Sequence, residues 1–279
     1  MHAFPIPVVA LGPGSRQEDE TLDYLPMPHE MRTYQAPILP EPEDMGERAD
    51  VRIWLGQLLQ AVQDWRATRS TVNLDMSGLA EAKRKLIDQL LGEGEVSAQG
   101  VGENGTLTIQ ESVFAGVWRV RGRDSEGHAF ADRVEVGDVP VAVRLARDCG
   151  LPGPVFSPPG PGVANAPALL AEIAEQVARP TSSAHVINLS LLPFTPEDGA
   201  WLDQCLGRGR VTLLSRGYGN CRITATGVAR VWWVQYFNSQ DVLILNTIEV
   251  ADVPEVACAA AEDLEDSADR LAEVLEWIG

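Results

Sequence analysis

Glu135-Val136-Gly137-Asp138-Val139-Pro140 occurs again 114 residues later as Glu249-Val250-Ala251-Asp252-Val253-Pro254. At the same offset, Val117-Trp118 aligns with Val231-Trp232. Over residues 72–96 (offset 115) and 109–143 (offset 114), 19 of 60 aligned positions are identical, whereas chance gives roughly a twentieth. A period this long predicts two copies of one domain rather than a solenoid, whose repeats span about 20–50 residues.

Proline marks the boundaries of the two copies. Eight of the 19 prolines lie in residues 1–43, and five more lie in 150–162. Proline lacks an amide donor and fixes φ, so neither stretch is expected to form a regular helix or inner strand. The predicted organisation is an extended Pro-rich acidic arm (1–50), copy one (51–150), a Pro/Gly linker (151–165) and copy two (166–279).

Each copy predicts the same order of elements. An amphipathic helix is followed by a short strand, a second helix ending at a Gly-x-Gly turn, and a run of β-rich segments. The Asp-Val-Pro signal then closes the sheet and opens a last helix, which is long and acidic in copy two. Because the strands are sequential and joined by short polar turns, the predicted class is α+β, two tandem units with antiparallel sheets.

The two copies differ on one face of a matching strand. In 117–123 that face is arginine at every second position, whereas in 231–237 it carries Trp233, Gln235 and Phe237. Alternation of this kind predicts a solvated face in copy one and a covered face in copy two. The cover is either copy one, giving a pseudo-dimer, or another protein, for which exposed aromatic residues are typical anchors.

The net charge of −18 is concentrated at the two ends of the chain. Residues 1–50 carry a net −7 and residues 249–279 a net −9. Such a charge disfavours nucleic acid as a partner, since phosphate binding needs a Lys/Arg surface. The acidic ends are interpreted as solvated, or as steering a basic partner segment. The arm also holds apolar residues, among them Tyr24 and Met27, that suit a groove of its own or of a partner.

Nothing in the sequence predicts export, a membrane span or a catalytic cluster. No basic start precedes the first apolar stretch, and no run of about 18 apolar residues occurs, so we expect a cytoplasmic protein that is not membrane-embedded. The four histidines and four cysteines show no metal-ligand spacing, and no Gly-x-Ser-x-Gly or phosphate-loop motif is present. We therefore expect no enzyme activity, no cofactor and no metal of its own.

The most unusual local stretch is Arg216-Gly217-Tyr218-Gly219-Asn220-Cys221-Arg222. Glycines around a tyrosine allow a tight turn with an exposed side chain, and the stretch predicts either a hairpin turn or a contact loop. The candidate partner-binding residues are the polar and aromatic side chains of this loop, of the aromatic strand and of the arm: Arg216, Tyr218, Asn220, Arg222, Trp233, Phe237, Tyr24 and Met27.

The same stretch carries a family resemblance. Ser215 through Ile223, Gln235-Tyr236-Phe237-Asn238-Ser239 and Val253-Pro254-Glu255-Val256, with the arm motif Tyr24-Leu25-Pro26-Met27-Pro28, resemble the HupH/HyaF/HoxQ family of uptake NiFe-hydrogenase expression/formation proteins. The resemblance covers nearly the whole chain.

The resemblance implies a maturation chaperone without turnover. It would bind the iron–sulfur small-subunit precursor of a membrane-bound uptake NiFe hydrogenase, before large-subunit assembly and export, with a second hydrogenase chaperone as a further partner. The alternative is a metallochaperone that handles nickel or iron–sulfur units during hydrogenase assembly. The family supplies no agreed catalytic or metal-binding residues, so none are carried over.

Overall fold

A computed structural model describes residues 48–148, 150–181, 183–217 and 219–278. The first half contains three helices and five strands: α1 (Arg48–Thr68), β1 (Val72–Asp75), α2 (Glu81–Leu91), β2 (Val96–Gly102), β3 (Gly105–Glu111), β4 (Val117–Arg123), β5 (Ala129–Val136) and α3 (Val141–Ala146). The second half contains the same number of each: α4 (Ala166–Ala178), β6 (His185–Asn188), α5 (Pro196–Leu206), β7 (Arg208–Ser215), β8 (Asn220–Thr226), β9 (Val231–Phe237), β10 (Leu243–Val250) and α6 (Ala261–Ile278).

All ten strands form one sheet in the order β1-β5-β4-β3-β2-β7-β8-β9-β10-β6. Every pairing between neighbouring strands is antiparallel. The α+β class with antiparallel strands is therefore confirmed. Counted inward from either edge of the sheet, the five strands of each half follow in the order first, fifth, fourth, third, second, so β1 and β6 occupy equivalent outer positions.

The two halves meet edge to edge. β2 pairs with β7 from Val96↔Ser215 to Gly100↔Val211, which satisfies backbone groups that would otherwise form the open edge of each five-stranded half. The expectation that copy one lies over the aromatic face of copy two is wrong. Trp233 instead packs against the apolar cluster beneath α4 and α5 of its own half.

The core divides between the two faces of the sheet. On one face, a single cluster crosses the join, with Trp118 and Trp232 fully buried in it beneath α3. On the other face, one cluster lies under α1, α2 and α6, and a separate one lies under α4 and α5. The alternation predicted in 117–123 and 231–237 explains this division, because it places Trp118 and Trp232, at equivalent positions of β4 and β9, on the same face of the sheet.

Equivalent backbone features recur in the two halves. Trp118 donates its indole N–H to the Gly137 carbonyl at 2.8 Å, and Trp232 donates to Ala251 at 3.2 Å. Helices α2 and α5 both end at a glycine of positive φ, 57° at Gly92 and 65° at Gly207, where residues with a Cβ are disfavoured. The duplication itself stays an interpretation, which these equivalences favour.

The last helix differs from its prediction. After Pro254 the chain forms only a short 3-10 turn (Glu255–Ala257), and α6 begins at Ala261. Rather than lying on its own half, α6 packs against α1, where Arg66 pairs with Glu265 at 3.1 Å. Within the described residues, no helix combines the length and apolar character that crossing a bilayer requires.

Candidate protein-binding face

Among the residues that the structure describes, the middle of one sheet face carries no helical cluster, although it lies between two. Helices α1, α2 and α6 cover one side of this face, and α4 and α5 cover the other. Side chains of β3, β2, β7 and β8 between them are exposed, including Thr108, Gln99, Leu214 and Arg222. We call this strip the open face.

Strand register places the open-face side chains in transverse rows. One row runs Gln110, Ser97, Leu214, Arg222 and Gln235, and the next runs Thr108, Gln99, Thr212, Thr224 and Trp233. Neighbours within a row are about 4.8 Å apart across the strands. The floor is thus a ladder of hydroxyl and amide groups that continues into the second half, where it also carries an apolar, a cationic and an aromatic side chain, Leu214, Arg222 and Trp233.

A cavity of about 490 Å³ opens at the second-half end of the open face. Four of the predicted partner-binding residues, Arg216, Asn220, Arg222 and Phe237, line it together with Leu214. The Arg222 guanidinium lies 5.4 Å from the centre of the Phe237 ring, a cation–π contact that holds both side chains at the rim. The sequence therefore identified residues that the fold brings together.

The other four predicted residues are not part of this cavity. Trp233 lies on the same face of β9 but is partly buried, and its indole N–H donates to Asn246 Oδ1 at 2.6 Å. That contact gives it a structural role. Tyr24, Met27 and Tyr218 lie outside the described residues, so their part in binding stays a prediction.

An ion-pair network builds the first-half wall of the open face. Arg119 is buried and bonds to Asp88 of α2 at 2.6 Å and to Asp132 of β5. Asp88 also accepts from Arg121 at 2.6 Å, and Arg84 bonds to Asp132 at 3.2 Å. The expectation of a wholly solvated arginine face is therefore wrong for Arg119, because two carboxylates from other elements cover it.

The open face also carries arginines without such compensation. Within the described residues, no carboxylate lies within ion-pairing distance of Arg123, Arg210, Arg216 or Arg222. All four are exposed. In a chain of net charge −18, these side chains form a local cationic rim whose field is felt only within about 8 Å at physiological salt.

A buried carboxyl lies beneath the Arg216 loop. Glu111, the last residue of β3, accepts from the Gly116 amide at 3.3 Å, and burial raises the pKa of its carboxyl to about 7. Glu95, one of the neighbouring acids that raise this pKa further, accepts the Arg216 amide on its backbone carbonyl at 3.1 Å. The base of the loop is thus held next to an acid that titrates near neutral pH.

The acidic surface predicted at the C-terminus lies on α6. The helix buries Leu264, Ala268 and Leu271 against the first-half core. Its acids are exposed and line the opposite side: Glu262, Asp263, Glu265, Asp266, Asp269, Glu273 and Glu276. The helix is therefore amphipathic, with one apolar side and one acidic side.

The described cysteines lie in apolar surroundings. Burial raises the pKa of the Cys221 and Cys258 thiols to about 11, and Cys205 is buried. Among the described residues, no group of three or more His, Cys, Asp or Glu side chains is arranged to hold a metal ion. His2, His29 and Cys149 lie outside these residues.

Several floor residues escaped the sequence reasoning. Gln99, Thr108, Thr212 and Leu214 join the open face only through the β2–β7 pairing. The signal that was available is the alternation in 97–101 and 211–215, where buried residues alternate with polar or exposed ones. Alternation marks a half-covered strand, but it does not say which strands become neighbours.

Comparison with known proteins gives a family match over most of the chain. The family model described as "HupH hydrogenase expression protein, C-terminal conserved region" matches residues 50–149 and again 163–278. The hydrogenase expression/formation protein HoxQ of Cupriavidus necator is 49% identical, covering 100% of this chain and 99% of its own length. HupH of Rhodobacter capsulatus is 48% identical, covering 99% of this chain and 98% of its own.

A solved structure also matches part of the chain. The hydrogenase expression protein HupH from Thiobacillus denitrificans is 38% identical, with a TM-score of 0.37, over 41% of this chain and 95% of that protein.

Proposed function

The chain belongs to the family of HupH hydrogenase expression proteins, and on that ground we propose that it is a hydrogenase maturation factor. More specifically, we propose a cytoplasmic chaperone, without catalytic turnover, that binds the iron–sulfur small-subunit precursor of a membrane-bound uptake NiFe hydrogenase. Binding precedes large-subunit assembly and export, and a second hydrogenase chaperone is a further partner.

The observation that carries the proposal is the match to relatives named for hydrogenase expression and formation, over 99% or more of this chain. The open face is consistent with a binding role. Its floor and cavity expose Leu214, at 41% of its maximum, beside Phe237 and guanidinium groups that have no carboxylate at ion-pairing distance among the described residues. Arginine and aromatic residues are the types that dominate protein interfaces.

The acidic face of α6 contributes a second element of the proposed mechanism. Its carboxylates are exposed and carry a concentrated negative charge, which attracts a basic segment of the precursor such as a twin-arginine signal peptide. Attraction between exposed groups of this kind is screened by salt. Changing these acids to lysine should weaken capture, most strongly at low ionic strength.

The metallochaperone alternative has less support from the described residues. A thiol binds a metal ion as the thiolate, and burial raises the pKa of the Cys221 and Cys258 thiols to about 11, so metal binding there carries the added cost of releasing those protons. Metal analysis of the anaerobically purified chain distinguishes the two proposals, since a stoichiometric metal would favour the alternative.

We also infer that the two halves are copies of one unit. The family model matches each half separately, and the strand order is symmetric about the β2–β7 join. The β4–β5 and β9–β10 pairings each skip one residue, and the two skipped residues, Phe130 and Ile244, are equivalent in the two halves. In this view the open face arises where the copies meet.

The proposal is tested by co-expressing the tagged full-length chain with the small-subunit precursor and measuring a stoichiometric complex by size-exclusion chromatography. Leu214→Asp, on the open face, should reduce recovery of the complex about tenfold or more, because it places a charge in an apolar contact. Leu145→Asp is the matched control, since Leu145 is similarly exposed on α3, across the sheet.

No complex with the wild-type chain would overturn the chaperone proposal. Equal loss with both aspartate variants would show that the open face is not the contact. Unchanged capture by the α6 lysine variant at every ionic strength would remove the electrostatic element alone.

A further inference from the structure

We propose that the open face binds an acidic, extended segment of a partner polypeptide, with its carboxylates on Arg210 and Arg222 and an apolar side chain in the cavity beside Phe237. The inference specifies a ligand chemistry for the face, and it stands whether or not the partner is the hydrogenase small subunit.

The charge of the face selects an anionic ligand. Arg123, Arg210, Arg216 and Arg222 are exposed without a carboxylate within ion-pairing distance among the described residues, whereas Arg119 and Arg121 nearby are each bonded to Asp88. Guanidinium groups bind carboxylates through paired N–H donors. The cationic rim is therefore complementary to acidic side chains, although the chain as a whole is acidic.

The geometry selects an extended backbone. Arg222 lies opposite Leu214 of β7, and Arg210 lies four residues before Leu214 on that strand. Arg210 lies in the irregular stretch of β7 between Arg208 and Thr212, so four residues of strand and one strand spacing separate the two arginines by at most about 14 Å, a span that an extended peptide covers in up to about four residues. Two acidic residues four positions apart, both facing the sheet, match this separation.

The position of the cavity adds an apolar residue to the motif. One step beyond Arg222, Asn220 pairs with Phe237, and the cavity of about 490 Å³ opens there. In an extended segment, every second side chain faces the sheet. A segment with acids at positions 2 and 6 therefore presents its eighth side chain to Phe237 and Asn220.

The floor suits a peptide better than a polyphosphate. Between Arg210 and Arg222 lie the hydroxyl side chains of Thr212 and Thr224, and Gln99 and Thr108 continue the same row on β2 and β3; these groups donate to and accept from peptide groups. An exposed apolar residue, Val101, lies on β2. A net charge of −18 repels a nucleic acid at distances beyond the local rim.

The test uses the full-length chain and fluorescein-labelled nonapeptides, with binding measured by fluorescence anisotropy. The probe has glutamate at positions 2 and 6, leucine at position 8 and serine or threonine elsewhere. We expect saturable binding that weakens about tenfold with Arg210→Glu or Arg222→Glu, each of which replaces an attraction by a repulsion. Arg179→Glu is the control, since Arg179 is exposed on α4 away from the face.

Further probes identify what the face recognises. A peptide with glutamine in place of both glutamates, or with glutamates at positions 2 and 3, should bind at least tenfold more weakly; equal binding would overturn the proposal. Equally tight, Arg222-dependent binding of single-stranded oligothymidylate would assign the face to polyanions instead. Self-association without peptide that Arg222→Glu abolishes would assign it to a second copy.

Urea unfolding of each variant checks that the fold is retained. The outcome is separable from that of the precursor experiment, because the nonapeptide contains no hydrogenase sequence. Peptide binding without precursor binding would support this inference and refute the chaperone proposal.

Discussion

Replacing Glu111 by glutamine should stabilise the protein at alkaline pH and leave its stability unchanged near pH 4. In the folded chain, burial raises the pKa of this carboxyl from its ordinary 4.5 to about 7, with a contribution from Glu95 and Asp263. Between pH 4.5 and about pH 7, the Glu111 carboxyl keeps its proton in the folded state but has released it in the unfolded state. Stability is therefore lost as the pH rises through this window.

The pKa difference sets the magnitude. At about 1.4 kcal/mol for each tenfold change in proton dissociation constant, a rise from 4.5 to about 7 costs about 3 kcal/mol once the pH exceeds 7. Glutamine is neutral throughout and keeps an oxygen to accept from the Gly116 amide. The free energy of unfolding of Glu111→Gln should exceed that of the wild type by about 2–3 kcal/mol at pH 8.

Urea unfolding followed by tryptophan fluorescence at pH values from 4.5 to 8 measures the effect. With a urea slope on the order of 2–3 kcal/mol/M, the midpoint should rise by about 1 M at pH 8. Subtracting the unfolding free energy of the variant from that of the wild type at each pH cancels the charge repulsion that the two acidic chains share. A difference that stays constant across this range would refute the assignment of a buried, neutral Glu111.

Five further substitutions test the packing of the sheet and helices. Gly94→Ala and Gly209→Ala, at equivalent positions of the two halves, should each destabilise by several kcal/mol, because the new Cβ would collide with backbone carbonyl oxygens; Gly56→Ala in α1, with open space around it, should stabilise by about 1 kcal/mol in thermal unfolding. Arg119→Met should cost about 2–3 kcal/mol in urea unfolding, because Asp88 and Asp132 lose their buried partner and keep only Arg121 and Arg84. Asp198→Ala removes the acceptor of three consecutive amides at the start of α4, so hydrogen exchange of those amides should accelerate at least tenfold while β4 amides stay protected.

Local pattern predicted the elements well because their determinants are local. Thr195 followed by Pro196 is a local pattern typical of a helix start, and the structure begins α5 there, with a capping box between Thr195 and Asp198. Alternation in 117–123 assigned Trp118 and Arg119 to opposite faces correctly. A period of two is a property of the strand itself and needs no knowledge of its neighbours.

The features that the sequence did not predict depend on contacts between residues that are distant in the chain. The burial of Arg119 follows from Asp88 and Asp132, 31 residues before it and 13 after it, and no local pattern reports them. The join between halves depends on β2 and β7, each an edge strand of its own half, whose backbone groups are alike in any sequence. The predicted loop residues came together correctly because Arg216 to Arg222 are neighbours in the chain, with Phe237 paired to Asn220.

The edge-to-edge join explains why the candidate face lies where it does. On this face of the sheet, α1, α2 and α6 cover the outer strands of the first half and α4 and α5 cover those of the second, so joining the halves through β2 and β7 leaves the middle strands between two helical layers. Equivalent positions then diverged: Thr108 of the first half corresponds to Arg222 of the second, and Arg123 corresponds to Phe237. Because the rows cross from one half to the other, neither half alone contains the face. The proposed segment runs along β7 and β8, and the order of Arg210, Arg222 and Phe237 along that direction gives it one preferred orientation on the face.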